Sequence, residues 1–65
     1  MERLEMIGEI RTMLPKLWEA NQFALAKEIM GEIHQDNFSD VPDPVVRRIW
    51  LDLGDATRRL PGEPV

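Results

Sequence analysis

The sequence predicts an all-α fold, a small helical bundle built on an αα-hairpin. Apolar residues recur at intervals of three and four positions in three separate stretches, which is the spacing of one face of a helix. Turn-forming residues, including Asn21 and the Asp43-Pro44 pair, separate these stretches. We expect no strand. The predicted helices lie at about 2–20, 22–35 and 44–60.

The first predicted helix has a proline within its apolar stripe. Pro15 removes one backbone hydrogen bond, and its ring clashes with the carbonyl of Arg11. The helix therefore either kinks at Pro15 or breaks near Thr12, which could then cap a new helix. Because the stripe keeps its phase across Pro15, we expect one kinked helix. The stripe consists of Leu4, Ile7, Ile10, Leu14, Leu17 and Trp18.

The second predicted helix follows Asn21, a residue that suits a helix stop or a cap. Gly31 lies inside the predicted range, where glycine costs about 1 kcal/mol relative to alanine. It marks either a close approach of another backbone or an exposed position. The apolar stripe consists of Phe23, Ala26, Ile29, Met30 and Ile33, and Leu25 widens it.

The third predicted helix has the clearest boundary in the chain. Residues 36–42 are typical of turns, and Asp43-Pro44 combines an N-cap residue with a proline at the first helical position. Asp55 and Arg59 are four residues apart in the order that stabilises a helix, and Pro61-Gly62 ends it. The stripe consists of Val46, Ile49, Trp50, Leu53, Thr57 and Leu60.

Three amphipathic helices predict one shared core. We expect the first two helices to pack on each other, and Phe38 to fold back from the loop and close one end of the bundle. The expected core residues are Ile7, Leu14, Trp18, Phe23, Met30, Ile33, Ile49, Trp50 and Leu53.

The composition limits the class of protein. The 65 residues predict one domain, 1–65, with a frayed tail at 61–65. The absence of cysteine excludes a disulfide scaffold and a thiolate zinc site. No apolar run is long enough to span a membrane, and the first residues are acidic where a secretory signal is basic. We therefore expect a cytoplasmic protein with no membrane association.

No group of residues has the spacing of a catalytic or metal site. Glu32 and His34 are two positions apart, about 200° around a helix, and a zinc site needs more than one imidazole or thiolate. A calcium loop starting at Asp36 would place Arg47 where a bidentate glutamate is required. Ser39 has no oxyanion hole or orienting group nearby. We expect a protein that is not an enzyme and has no metal or cofactor.

A DNA-binding helix-turn-helix protein is one alternative, with the helix at 44–60 as the recognition helix. That helix has the pairs Arg47-Arg48 and Arg58-Arg59. Acidic residues lie on the same helix, however, and the whole chain has a net charge of −4, whereas DNA-binding proteins usually have a basic surface. We therefore expect no nucleic-acid partner.

The apolar arcs of the first two helices are broader than one buried face needs. Three short helices cannot bury both arcs and a third stripe, so we expect an apolar patch that a partner covers. This predicts a non-enzymatic protein–protein interaction module, a homodimer that acts as a regulator, adaptor or inhibitor of a larger protein. The predicted partner-binding residues are Met6, Ile10, Met13, Leu17, Trp18, Leu25 and Ile29.

The acidic charge leaves a second alternative within the same class. A small acidic helical protein could occupy a basic surface that normally holds nucleic acid, on a host or phage target. The acidic residues are interspersed with arginines and are not clustered, so we rank this inhibitor below simple apolar docking.

In the middle third of the chain, the turn residue Asn21 precedes the aromatic Phe23 by two positions and Ala26 by five. This spacing resembles the helix–turn–helix unit of a tetratricopeptide repeat, a family that binds proteins. The residues that resemble it are Leu14, Leu17, Asn21, Phe23, Ala26 and Met30. Asn21 replaces the turn glycine of that family, Pro15 lies in the first helix, and no second copy of the unit follows. The resemblance is therefore one of helical-hairpin geometry and not of membership.

Overall fold

The computed structural model describes residues 2–60, which form three α-helices and no strand. The predicted all-α class is confirmed. The helices are α1 (Arg3–Glu19), α2 (Phe23–Met30) and α3 (Asp43–Arg58). The predicted tail at 61–65 lies outside the described residues.

Helix α1 runs through Pro15 without a break. Thr12 caps no new helix, because its hydroxyl donates to the carbonyl of Glu9 at 2.8 Å, within the same helix. The end of α1 is a Schellman motif: the N–H of Gln22 donates to the carbonyl of Leu17 at 2.8 Å, and the N–H of Asn21 donates to that of Trp18 at 3.0 Å.

Asn21 has the positive φ of 60° that this motif requires, and asparagine tolerates this conformation better than most residues. The prediction that Asn21 stops the first helix is therefore confirmed. The turn that follows, residues 20–22, is short enough to bring α2 back against α1 as the predicted αα-hairpin.

Helix α2 ends at Met30, five residues before the predicted end at 35. Gly31 has a positive φ of 63°, so it terminates the helix and does not lie inside it. Residues 31–42 then follow an irregular path with bonds such as Asn37 N–H to the carbonyl of His34, 2.9 Å. This path buries Phe38, which is 4% exposed, as predicted.

Helix α3 begins at Asp43, and Pro44 lies in its first turn as predicted. Asp43 is not the N-cap, however: the cap position belongs to Pro42, and no side chain bonds to the free N–H groups there. The carboxylate of Asp43 instead accepts a bond of 2.6 Å from Arg3 Nη1 of α1. The predicted pair within α3 is present, since Arg59 Nε lies 3.4 Å from Asp55 Oδ1.

The core forms mainly between α1 and α3, whereas the sequence predicted α1 against α2. Helix α1 buries a wide arc, because it contacts α3 and, less extensively, α2. The buried hydrophobic residues are Met6, Ile7, Ile10, Leu14, Leu17, Ala26, Met30, Phe38, Val46, Ile49, Leu53 and Ala56.

Several predicted core residues occupy other positions. Trp18, Ile33 and Trp50 are half-buried and pack against the edge of the core. Phe23 is 57% exposed, and Leu4, which belonged to the predicted stripe of α1, is 79% exposed. At 100° per residue, Leu4 lies about 120° around α1 from the fully buried Ile10, which places it outside the buried arc.

Candidate interaction groove

The structure divides the predicted partner-binding residues into two groups. Met6, Ile10 and Leu17 are buried in the core, so their predicted position on a contact surface is wrong. Their burial follows from the wide arc that α1 presents to two neighbouring helices. Met13, Trp18, Leu25 and Ile29 are half-buried and remain accessible.

The four accessible residues do not form one continuous face. Met13 lies in a groove between α1 and α3, and Trp18 in a groove between α1 and α2. Leu25 and Ile29 line a third groove, between α2 and α3. A contact surface centred on any one of these grooves would therefore include residues outside the predicted set.

The groove between α1 and α2 has the most exposed aromatic side chain at its rim. Phe23 is 57% exposed, and half-buried Trp18 and Ile33 lie in the same groove. Buried Leu14, Ala26 and Met30 supply the rest of its apolar lining. We call this surface the aromatic groove. It is lined by Leu14, Trp18, Phe23, Ala26, Lys27, Met30, Gly31, Ile33, His34 and Gln35.

Phe23 and Lys27 are the two exposed α2 residues of the aromatic groove, and they are four positions apart. Residues at this spacing lie on the same side of a helix. The Schellman motif at Asn21 fixes where α2 starts, and hence where both side chains project. The groove therefore combines an apolar wall with an ammonium group one helical turn away.

The charge around the aromatic groove differs from that of the whole chain. None of its described lining residues is acidic, although the chain has a net charge of −4. Three other grooves of the described region each include carboxylates. These are Asp52 and Asp55 between α2 and α3, Glu2 and Asp43 at the start of α1 and α3, and Glu9 between α1 and α3.

The groove between α2 and α3 is the main rival. Half-buried Leu25, Ile29 and Leu60 line it, but no large apolar residue that lines it is exposed. Two of its three charged lining residues pair with each other, since Asp55 lies 3.4 Å from Arg59. In the groove between α1 and α3, two lining residues are also paired with each other, because Trp50 Nε1 donates a hydrogen bond of 2.9 Å to Glu9 Oε1.

Residues 2–60 bring no three metal-ligating side chains together. His34, the one histidine of the sequence, is exposed and interacts with its neighbour, because its Nδ1 accepts from the N–H of Asp36 at 3.3 Å. No buried side-chain nitrogen or oxygen in the described part of the chain lacks a hydrogen-bond partner. The absence of enzymatic activity stays a prediction.

Two of the four arginines on which the DNA-binding alternative rests lie next to an acid. Arg58 and Arg59 are both beside Asp55, at 4.0 Å and 3.4 Å. The segment at 31–42 that joins α2 to α3 is also much longer than the three- or four-residue turn of a helix-turn-helix motif. The geometry therefore gives no support to the DNA-binding alternative.

Between residues 2 and 60, no helix has both the length and the apolar character that a bilayer crossing requires. Comparisons with protein-family models, with curated proteins and with solved structures found no match to this chain.

The predicted partner-binding residues do not include the two exposed residues of α2 that define the aromatic groove. The sequence pattern places Phe23 in the core, and it gives no indication of a role for Lys27. The position of Phe23 offered one indication: it directly follows the turn at Asn21 and is the first residue of α2, where a side chain has fewer neighbours than in mid-helix. Lys27 could then be placed beside it by the four-residue spacing.

Proposed function

We propose that this protein is a non-enzymatic protein–protein interaction module and that the aromatic groove is its contact surface. The observation that supports the proposal best is the 57% exposure of Phe23 next to half-buried Trp18 and Ile33. Aromatic side chains are enriched among residues that contribute most to binding, and these cluster in pockets that a partner closes. A role as a regulator, adaptor or inhibitor of a larger protein fits such a surface.

Covering this groove contributes a modest hydrophobic free energy to docking. Full burial of a phenylalanine side chain contributes about 1.5–3 kcal/mol, and Phe23 has more than half of its surface still to bury. Trp18 and Ile33 add further area at the same place. Polar contacts around the rim would then set orientation and specificity.

A homodimer remains part of the expectation, but the groove favours a different protein. A two-fold symmetric dimer that closed this groove on itself would place two Lys27 ammonium groups in one interface, and no lining residue of either copy is an acid that could pair with them. The inhibitor alternative, an acidic protein on a basic target, has no basis in this groove, because none of its described lining residues is acidic.

Paired substitutions test the proposal. Phe23→Ser removes the exposed aromatic of the groove, and Leu51→Ser removes a residue of similar exposure, 54%, on α3. Both variants should keep the helical circular dichroism and the unfolding midpoint of the natural protein. Proteins retained from an extract of the source cells by the natural chain and by Leu51→Ser should be lost with Phe23→Ser. Retention that is equal for the two variants would contradict the assignment of the groove.

A further inference from the structure

We infer that the aromatic groove binds an acidic amphipathic segment of another protein, in which large apolar side chains are flanked by carboxylates. This inference rests on the proposed function and adds the chemistry of the partner. Two features of the groove support it: the apolar wall and the Lys27 ammonium group at the rim.

The shape of the groove suits side chains of a protein. It is an open depression of about 250 Å³, near the lower limit of the roughly 300–1,000 Å³ that is typical of small-molecule and cofactor sites. Such a shape suits apolar anchor residues projecting from one face of a partner segment, as in helix-in-groove recognition.

The charge of the groove favours a partner with carboxylates. Lys27 is exposed, and within residues 2–60 it forms no ion pair. None of the remaining lining residues is acidic. Asp36 lies 3.9 Å from one of them, His34, but forms no ion pair with Lys27. Lys27 is the one lysine or arginine among the lining residues, so its ammonium group is the permanent charge at the rim of the groove.

A segment with lysine or arginine in place of the carboxylates would meet Lys27 with like charge. Wrong pairings of this kind are how charged groups at an interface rim exclude competing partners. The groove is therefore expected to discriminate between segments of equal apolar content by the sign of their charge.

Two fluorescent helical peptides with the same leucine pattern provide the probes. One has glutamate at every other exposed position, and the second has lysine there. Binding is measured by fluorescence anisotropy at about 0.15 M salt. The glutamate peptide should bind, and Phe23→Ser should remove that binding. The matched charge variants are Lys27→Glu, in the groove, and Lys16→Glu, an exposed lysine on α1 that does not line it.

Both charge variants alter the net charge equally, so their difference reports the local effect. Lys27→Glu should weaken binding of the glutamate peptide by about five-fold or more, because it removes one exposed attraction and adds a repulsion. Lys16→Glu should change it less than about two-fold. Equal effects of the two variants, or equal Phe23-dependent binding of both peptides, would overturn the inferred charge preference while leaving the proposed docking function intact.

Sedimentation of the free protein at the same concentration tests whether a second copy of this chain occupies the groove instead. A monomer that binds the glutamate peptide supports the inference. A dimer that is lost in Phe23→Ser would overturn it in favour of a second copy of this chain. Binding of neither peptide, together with retention from extracts that does not depend on Phe23, would contradict the proposed function itself.

Discussion

The indole Nε1 of Trp50 donates a hydrogen bond of 2.9 Å to Oε1 of Glu9, which connects the middle of α3 to the middle of α1. The two residues are 41 positions apart in the sequence, and the bond lies beside the main interface of the core. It also gives the half-buried tryptophan a polar partner, as is usual for this side chain. Trp50 is therefore held in the α1–α3 packing and is less available to a partner than Phe23.

Glu9→Ala should lower the free energy of unfolding by about 0.5–1 kcal/mol, because an exposed hydrogen bond contributes modestly. A double-mutant cycle with Trp50→Phe isolates the bond, since phenylalanine keeps most of the ring but has no N–H. Urea unfolding of the four proteins measures the coupling energy. A coupling energy of zero would show that the bond contributes nothing to stability.

Arg3 joins three segments, because Nη1 bonds to Asp43 and Nη2 donates to the carbonyl of Phe38. Its side chain is only 28% exposed, whereas that of Asp43 is 75% exposed. Arg3→Ala should therefore cost about 1–2 kcal/mol through two lost bonds, and Asp43→Ala only about 0.2–1 kcal/mol. Chemical denaturation gives both values. Equal losses would mean that the bond to the Phe38 carbonyl is unimportant.

Two glycines should respond to alanine with opposite signs. Gly8 lies on the exposed side of α1, and an added Cβ would meet no atom within 4 Å, so Gly8→Ala should stabilise the protein by about 0.5–1 kcal/mol. Gly31 also has space for a Cβ, but its φ of 63° is strained for alanine. Gly31→Ala should therefore destabilise the protein by about 1 kcal/mol or more. Shifts of the same sign in thermal unfolding would contradict this account of where α2 ends.

Met6 and Leu4 provide a matched test of which arc of α1 is buried. Met6 is buried in the core, and Leu4, half a turn away, is 79% exposed. Met6→Ala should cost about 2–5 kcal/mol, a large part of the stability of so small a domain. Leu4→Ala should stay within about 0.5 kcal/mol. Guanidinium denaturation measures both, and a larger loss for Leu4→Ala would mean that α1 is rotated from the orientation described.

Local patterns were enough to predict the three helices and most of their boundaries. The stripe that keeps its phase across Pro15 predicted one helix there, and Asn21 predicted its end. The predicted end of α2, at residue 35, was wrong because Ile33 continues the helical period although it lies in the loop. Gly31 was the opposing indication, and its φ of 63° is the reason that the helix stops.

The groove was less predictable, because a stripe on one helix does not specify which neighbour buries it. The sequence predicts that a partner covers the surplus apolar residues of α1. Met6 and Ile10 are instead buried within the chain, because α1 packs mainly on α3. The exposed apolar residue of the aromatic groove is instead Phe23, which the helical period placed in the core. Its exposure depends on the relative position of α1 and α2, and this is a tertiary property.

The most direct test of the aromatic groove is photo-crosslinking from position 23 in the source cells. The photoreactive amino acid benzoylphenylalanine can replace Phe23 with little change in shape, and Leu51 on α3 serves as the control position. The account predicts a discrete crosslinked product with another protein from position 23, and none of that mass from position 51. Products that are absent at position 23, or identical at both positions, would contradict it.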